Sequence, residues 1–91
     1  MSITIDHDVG LGRFSAVVHG HQCVCDYRLR DGVMAITHTE VARELEGQGI
    51  AAELVRAALA HARENGLKVR PLCSYVQAYM RRHPEVQSLL A

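Results

Sequence analysis

Glu46-Gly47-Gln48-Gly49-Ile50-Ala51 is the stretch of sequence that decides the fold. It lies between a segment of strand-like alternation, which ends at Val41, and a segment of helical periodicity, which begins at Ile50. Two glycines separated by one residue relax the backbone restrictions at a helix start and leave several amide N–H groups free to point at one anion. The helix dipole favours negative charge at the same place. The stretch therefore predicts an anion-binding turn, although the glycines alone fit a tight turn without a ligand about equally well.

The segment after this turn predicts an amphipathic helix. Its apolar residues recur at helical spacing, at Ile50, Ala51, Leu54, Val55, Ala58, Leu59 and Ala62. The segment is rich in alanine, a good helix former. Asn65-Gly66 follows, where glycine supplies a left-handed cap, so the helix is expected to end there.

The half before the turn predicts antiparallel strands, because short alternating segments are separated by glycine-containing turns. The candidate strands cover residues 3–5, 14–18, 22–30 and 34–41. Asp31-Gly32 is a strong two-residue hairpin signal, since glycine tolerates the positive φ that such turns need.

The half after the first helix predicts one more strand and one more helix. Residues 67–73 form the strand, with Pro71 at an edge or bulge, and residues 74–82 form the helix with Ser74 as its N-cap. The order β-β-β-β-α-β-α places a crossover between two parallel strands around the first helix. We therefore expect an α+β fold, with residues 1–91 forming one domain.

Composition excludes several classes of function. Ten acidic residues balance ten basic ones, so the basic excess typical of nucleic-acid binders is missing. No apolar run approaches the ~20 residues that span a bilayer. The N-terminal residues do not read as a signal peptide, and three cysteines fit reduced thiols better than a disulfide framework. A cytoplasmic protein is expected.

A metal site is the alternative reading of His19, His21, Cys23 and Cys25, which alternate along one predicted strand. Neighbours on one strand face are ~6–7 Å apart and the ends of this set ~20 Å, too far for one tetrahedral ion. We expect no metal and interpret the two cysteines as small inward-facing residues.

The turn and its flanks resemble motif A of the GNAT superfamily of N-acetyltransferases, Arg/Gln-x-x-Gly-x-Gly/Ala. Gly49 and Ala51 occupy its last two fixed positions, whereas Glu46 stands where Arg or Gln is usual. The segments 38–41, 67–74 and Tyr79-x-x-x-His83-Pro84-Glu85 extend the likeness over essentially the whole chain, to the compact stand-alone GNAT-like acetyltransferases of the N-acetyltransferase domain-containing type.

This resemblance implies a GNAT-like fold, with parallel strands splayed around the arm of acetyl-CoA, and transfer of the acetyl group to an amine. The backbone of strand 34–41 would pair with the pantetheine arm, and the amides of the glycine turn would hold the pyrophosphate. The implied cofactor-binding residues are Val41, Gly47, Gln48, Gly49, Ile50, Ala51, Ala52 and Ser74.

Cys73 is a candidate catalytic residue because it ends a strand and precedes a helix. Ligands bind at the carboxyl ends of parallel strands, and a helix N-terminus favours the reactive thiolate. The compact family often carries Cys at this position, so it would either carry the acetyl group or line its site. The alternative is a small buried hydrophobe.

Tyr79 and His38 are the other candidates. The resemblance places Tyr79 where a tyrosine can protonate the leaving CoA thiolate, but packing of an aromatic ring explains it equally well. Tyr75 lies one turn earlier on the same face. His38 shares a strand face with Glu40 and suits proton transfer near neutral pH, while an ordinary exposed strand histidine is the alternative.

The sequence thus predicts an acetyl-CoA-dependent N-acetyltransferase without a metal, acting on an amine acceptor that it does not identify. A non-catalytic acyl-CoA-binding or interaction module is the alternative, and an interaction domain without any cofactor is a third reading. The oligomeric state is left open.

Overall fold

The computed structural model describes residues 3–91. In chain order it contains β1 (Asp6–Asp8), β2 (Arg13–Val18), β3 (His21–Arg30), β4 (Val33–Glu40), a 3-10 turn (Arg43–Leu45), α1 (Ile50–Glu64), β5 (Lys68–Pro71), α2 (Ser74–Arg82) and a final 3-10 segment (Pro84–Leu89). The predicted α+β element order is confirmed. No helix of the described part of the chain is long and apolar enough to cross a membrane.

One five-stranded sheet carries the fold, in the spatial order β1-β2-β3-β4-β5. Neighbouring strands are antiparallel up to β4, while β4 and β5 are parallel and joined through α1. The predicted hairpin turn lies between β3 and β4, where Asp31 and Gly32 have φ values of 53° and 76°. Both signs match the type of turn that the sequence signal indicates.

The first strand is not where the alternation of Ile3 and Ile5 placed it. The prediction of a strand at residues 3–5 is wrong, because the backbone pairs with β2 only from Asp6 to Asp8. Within that pairing the His7 ring stacks on Phe14 at a centroid distance of 3.9 Å. Ile3 and Ile5 are half-buried instead and pack against the core from outside the sheet.

The core lies between the sheet and α1. The apolar stripe of α1 is buried as predicted, at Ile50, Leu54, Val55, Ala58, Leu59 and Ala62. It packs against β2 and β3, where Cys23 and Cys25 are fully buried, as their interpretation as inward-facing residues required. Ala51 is the member of the predicted stripe that stays half-exposed.

A bulge in β4 changes which side chains face this core. Tyr27 pairs with Ile36 and Asp26 pairs with His38, so Thr37 is the extra residue. Residues that pair across strands lie on the same face of a sheet. The bulge therefore turns His38 to the outer face and brings Thr39, which pairs with the buried Cys25, to the face that α1 covers.

The parallel strands separate beyond Ile36 and Pro71, the last residues of their ladder. The amides of Leu72 and Cys73 both donate to the Ile36 carbonyl oxygen, at 3.0 and 3.1 Å, and β4 then continues alone to Glu40. This gap is the predicted splay. Because residues 33–36 are already paired with β5, only the part of β4 beyond Ile36 has a free edge on this side.

Candidate functional site

A groove of about 600 Å³ begins at the gap between β4 and β5. It runs from the end of β4 across the glycine turn to the first turn of α2. Its lining consists of Thr39, Glu40, Val41, Leu45, Glu46, Gly47, Gly49, Ile50, Ala51 and Tyr75. The groove is thus built around the stretch that decided the fold.

The head of α1 presents free backbone amides to this groove. Gly49 caps the helix in the left-handed conformation, with φ 82°, and no side chain caps it. The Glu53 amide is the one that donates to the Gly49 carbonyl, at 3.1 Å. The preceding amides of Ile50, Ala51 and Ala52 therefore have no acceptor within the helix. Such N–H groups at the positive end of a helix suit an anion.

The loop before α1 is anchored by one buried side chain, that of Leu45. Residues Arg43–Leu45 form a single 3-10 turn, and Leu45 is buried in the core. This anchor fixes the chain before Glu46, where the backbone becomes extended.

The predicted cofactor-binding residues fall into two sets. Five line the groove, namely Val41, Gly47, Gly49, Ile50 and Ala51. Gln48 is exposed, Ala52 lines an adjoining groove, and Ser74 is the exposed first residue of α2. The prediction of Ser74 as N-cap is wrong, because Cys73 takes that position with an extended backbone.

The charged residues that line the groove are glutamates, and the carboxylate of one of them, Glu40, contacts His38 on the outer face. Glu40 and Glu46 both lie there, and no arginine or lysine is among the lining residues within the described chain. An anionic ligand would therefore depend on the amides of the helix start and on charges outside this groove.

Cys73 lies at the gap, against the end of β4. Its Sγ is 3.6 Å from the Thr39 Oγ1. Burial by itself would raise the pKa of the Cys73 thiol, but the Thr39 hydroxyl and the backbone groups of Val76, Tyr75 and Thr39 hold that pKa below its ordinary value. Cys73 is half-buried, so its thiol combines partial access with a stabilised thiolate.

Cys25 shows what burial does without these hydrogen bonds. It lies beneath Thr39 in the core, and burial raises the pKa of its thiol to about 12. Of the two cysteines next to Thr39, only Cys73 has a lowered thiol pKa, so it is the one whose reactive thiolate is favoured.

The two tyrosines of α2 lie in different surroundings. Tyr79 is buried and stacks on His83 at a centroid distance of 4.1 Å, and it does not line the groove with the glycine turn. Tyr75 does line that groove. Burial raises the pKa of the Tyr75 phenol, against the opposing effect of Arg82 and Arg56. A raised pKa keeps this hydroxyl protonated and able to donate.

His38 lies on the outer face of β4, on the opposite side of the sheet from Cys73. Its Nε2 is 3.2 Å from Glu40 Oε1, so the two residues do share a face as predicted. Beside them, Arg13 and Asp26 form an ion pair at 2.8 Å. A proton acceptor at His38 would serve a ligand that enters the gap from this outer face.

Thr39 and Tyr75 are the site residues that sequence reasoning missed as candidates. Unbroken alternation along β4 would place Thr39 on the outer face. The bulge that moves it to the inner face has no recognisable signal in the sequence of that strand. Tyr75 and Tyr79 share a helical face, and spacing alone does not separate them.

Among residues 3–91 no three His, Cys, Asp or Glu side chains come close enough together to hold a metal ion.

The model of the family described as GCN5-related N-acetyl-transferase matches residues 13–89 of this chain. Protein NATD1 from Xenopus tropicalis is 33% identical over 91 residues, which cover 97% of this chain and 84% of that protein. Protein NATD1 from Mus musculus is 33% identical over 90 residues, covering 96% and 82%.

A solved structure has the same fold. The solution NMR structure of a GCN5-like N-acetyltransferase from Staphylococcus aureus superposes with a TM-score of 0.77 at 28% sequence identity. The match covers 97% of this chain and 87% of that chain.

Proposed function

The chain belongs to the GCN5-related N-acetyltransferase family, and we propose that it transfers the acetyl group of acetyl-CoA to an amine acceptor. The observation that carries this proposal is the row of free amides at Ile50, Ala51 and Ala52, beside a groove that extends to Thr39, the residue in contact with Cys73. The groove thereby leads from an anion-binding helix start to the residue that contacts the thiol.

The groove suits the parts of acetyl-CoA in order. The pyrophosphate would lie on the amides of the α1 head, where the helix dipole adds to the hydrogen bonds. The pantetheine arm would follow the free edge of β4 beyond Ile36, whose backbone groups lack a strand partner there. The thioester would then reach the gap beside Thr39 and Cys73.

Acetyl transfer needs one bond formed, one bond broken and one proton moved. The amine nitrogen attacks the thioester carbonyl carbon, the C–N bond forms, and the C–S bond breaks to release the CoA thiolate. The nitrogen loses a proton and the thiolate gains one. Positioned acids and bases at these two sites accelerate such steps by roughly 10²–10⁴-fold.

Tyr75 is our assignment for the donor to the thiolate, because Tyr75 lines the groove and its raised pKa keeps the hydroxyl protonated. Tyr79, one turn further along α2, is the alternative donor that the sequence singled out. Its burial against His83 favours a packing role.

His38 is our assignment for the proton acceptor on the amine side. The acceptor would enter the gap from the outer face of the sheet, where His38 and Glu40 lie, while acetyl-CoA occupies the inner face. The two substrates would then meet between the splayed strands. This arrangement gives His38 a role despite its distance from the groove lining.

Cys73 has two possible parts in this reaction. A thiolate could take the acetyl group from CoA and pass it to the amine, or the thiol could line the acetyl site during direct transfer. Mass spectrometry of the protein after exposure to acetyl-CoA separates them, because only the first route leaves acetylated Cys73. A Cys73→Ser variant with unchanged turnover removes the covalent route.

One observation favours a second function, that of an acyl-CoA-binding module without turnover. Glu40 and Glu46 line the groove, and no arginine or lysine of residues 3–91 lines it. Weak cofactor retention would leave a binding protein rather than an efficient enzyme.

The test is a screen of amine acceptors read out by the release of free CoA thiol. Protein lysines, polyamines and small amines form its three arms. Acceptor-dependent release that is lost in Gly49→Ala supports the transferase. Acetyl-CoA binding without release for any acceptor supports the binding module instead. The cytoplasmic location expected from the sequence stays a prediction.

A further inference from the structure

Four cations lie on the outer face of the sheet, the face opposite α1. Met34 and Val69 are fully buried on the inner face, so the residues beside them along their strands point outward. Cross-strand partners share a face. The outer face therefore carries two rows of paired residues at this end of the sheet, namely Arg30–Val33–Lys68 and Arg28–Ala35–Arg70.

The row of Ala35 holds two arginines without partners. Arg28 and Arg70 are exposed, and neither forms an ion pair or a side-chain hydrogen bond with any residue from 3 to 91. In the neighbouring row, Arg30 lies 3.8 Å from the carboxylate of Asp31. The two guanidinium groups beside Ala35 are therefore the ones free to bind a new anion.

One anion above Ala35 can reach both of these arginines. Neighbouring strands are about 4.8 Å apart, so Arg28 and Arg70 start about 10 Å apart with Ala35 midway between them. Ala35 carries only a methyl group, and an extended arginine side chain covers half of that distance. Guanidinium groups bind carboxylates and phosphates by charge-assisted, often bidentate hydrogen bonds.

The next row toward the gap has the opposite character. Asp26 pairs there with His38, and Glu40 follows further along β4 on the same face. Asp26 is already engaged by Arg13, at 2.8 Å, whereas Glu40 contacts only His38, at 3.2 Å. An amine is cationic before it reacts, so the carboxylate of Glu40 favours its approach to His38.

The two zones are separated by the length of a small molecule. Asp26 and Arg28 are two residues apart on β3, and this spacing corresponds to about 7 Å along a strand. A ligand lying along the outer face can thus place its nitrogen at the gap and an anionic group above Ala35.

We propose that the amine acceptor is a small molecule that carries a carboxylate or phosphate, which Arg28 and Arg70 bind above Ala35 while its nitrogen lies in the gap beside His38. The inference rests on the proposed function, which brings the acceptor to the outer face. The transfer itself is unchanged: the nitrogen loses a proton and forms the C–N bond as the CoA thiolate leaves. Polyamines fit poorly, because their second ammonium group would meet the two arginines.

The test compares acceptors that differ only in the charge of the end far from the amine. The first pair is ε-aminocaproate and its neutral amide, and the second is linear aminobutyl phosphate and aminobutanol. The release of CoA thiol from acetyl-CoA gives kcat/KM for each. The anionic member of at least one pair is expected to be preferred by roughly a hundredfold, the effect of two charge-assisted contacts. The pair with the larger preference distinguishes phosphate from carboxylate recognition.

Arg28→Gln and Arg70→Gln are each expected to lower this preference by about tenfold. The change should come from a lower kcat/KM for the anionic acceptor rather than from a higher value for the neutral one. Arg30→Gln is the matched control, since it removes the same charge from the same face of β3 but lies one row further from the gap. It is expected to preserve the preference.

Equal kcat/KM values for the charged and neutral members of both pairs overturn this inference and leave the proposed function intact. Release of CoA with other amines of the screen, but with neither anionic compound, does the same. An Arg30→Gln variant that loses the preference as far as Arg28→Gln does also overturns it. Absence of CoA release with every amine contradicts the proposed function itself, and the inference with it.

Discussion

The Thr39 hydroxyl lies 3.6 Å from the Cys73 thiol, across the gap where β4 and β5 have ceased to pair. This contact exists because the bulge at Thr37 turns Thr39 inward, to the face that also holds Cys25. The same bulge sends His38 outward. One irregularity in β4 therefore decides which side chains face the gap from each side of the sheet.

Loss of the Thr39 hydroxyl is predicted to raise the pKa of Cys73. Thr39→Val keeps the shape of the side chain but removes the hydrogen bond that helps to stabilise the thiolate. The rate of Cys73 alkylation by iodoacetamide, followed by peptide mass spectrometry across pH, measures this pKa. The profile of Thr39→Val should lie at higher pH than that of the unaltered protein.

Thr39→Ser is the control for this experiment, because it retains the hydroxyl and should keep the original profile. Coincident profiles for Thr39→Val and the unaltered protein would show that the contact does not tune the thiol.

Gly49→Ala is predicted to weaken CoA binding beyond its effect on stability. The left-handed φ of 82° costs a side-chain-bearing residue about 1–2 kcal/mol. An added Cβ meets no atom within 4 Å, so the cost comes from the backbone rather than from a clash. Relief of that strain would move the amides that follow. Urea unfolding and titration calorimetry with CoA measure the two effects.

Gly20→Ala is the matched variant, since Gly20 has φ 79° and equally open surroundings in the turn between β2 and β3. Both variants should lose similar free energy of unfolding. Only Gly49→Ala should lose affinity for CoA, and an equal loss in both would remove the special role of the α1 head.

Tyr75→Phe and Tyr79→Phe are predicted to separate the two candidate proton donors. The first should lower kcat by about 100-fold, the low end of the range for general acid catalysis, with little change in KM. The second should change kcat by less than about tenfold, because the ring keeps its packing on His83. Steady-state kinetics with an acceptor from the screen measure both. A larger loss of kcat in Tyr79→Phe than in Tyr75→Phe would assign the role of proton donor to Tyr79 instead.

His7 is predicted to make stability depend on pH. Its Nε2 lies 2.6 Å from the Tyr27 hydroxyl, and its ring meets His61 at a centroid distance of 4.5 Å. Burial, and then the proximity of His61, lower the pKa of His7, against the opposing charge of Asp8. The unfolded chain takes up this proton first as the pH falls through about 6.5. The stabilisation is therefore complete above that pH and is lost between it and the lower folded-state pKa.

Urea unfolding at pH 7.5 and pH 5 measures the effect. The unaltered protein should lose more free energy of unfolding between these pH values than His7→Phe, which retains an aromatic ring against Phe14. Equal losses would assign the pH dependence to other groups.

The sequence predicted the fold well where one periodic signal dominated. The stripe of α1, the Asp31-Gly32 hairpin and the parallel strand after α1 were all found near their predicted positions. The first strand was misplaced because Ile3 and Ile5 alternate like a strand but pack against the core outside the sheet.

The site was predicted less completely, because its geometry depends on irregular backbone. The bulge at Thr37 breaks an alternation that the sequence of β4 does not show, so Thr39 was missed. Cys73 rather than Ser74 caps α2, since the chain leaves β5 in an extended conformation up to that residue. Glycine spacing alone did locate the α1 head, because left-handed backbone there favours glycine.

Thermal unfolding with and without CoA tests the central claim most directly. A ligand that binds only the folded protein adds ~2.7 kcal/mol at a hundred times its Kd. For a domain of this size that corresponds to a rise in Tm of roughly 10–20 °C. We predict this rise with CoA and acetyl-CoA, and a much smaller one for Gly49→Ala. An unchanged Tm at millimolar concentrations of both compounds would contradict the claim that the α1 head is a CoA site.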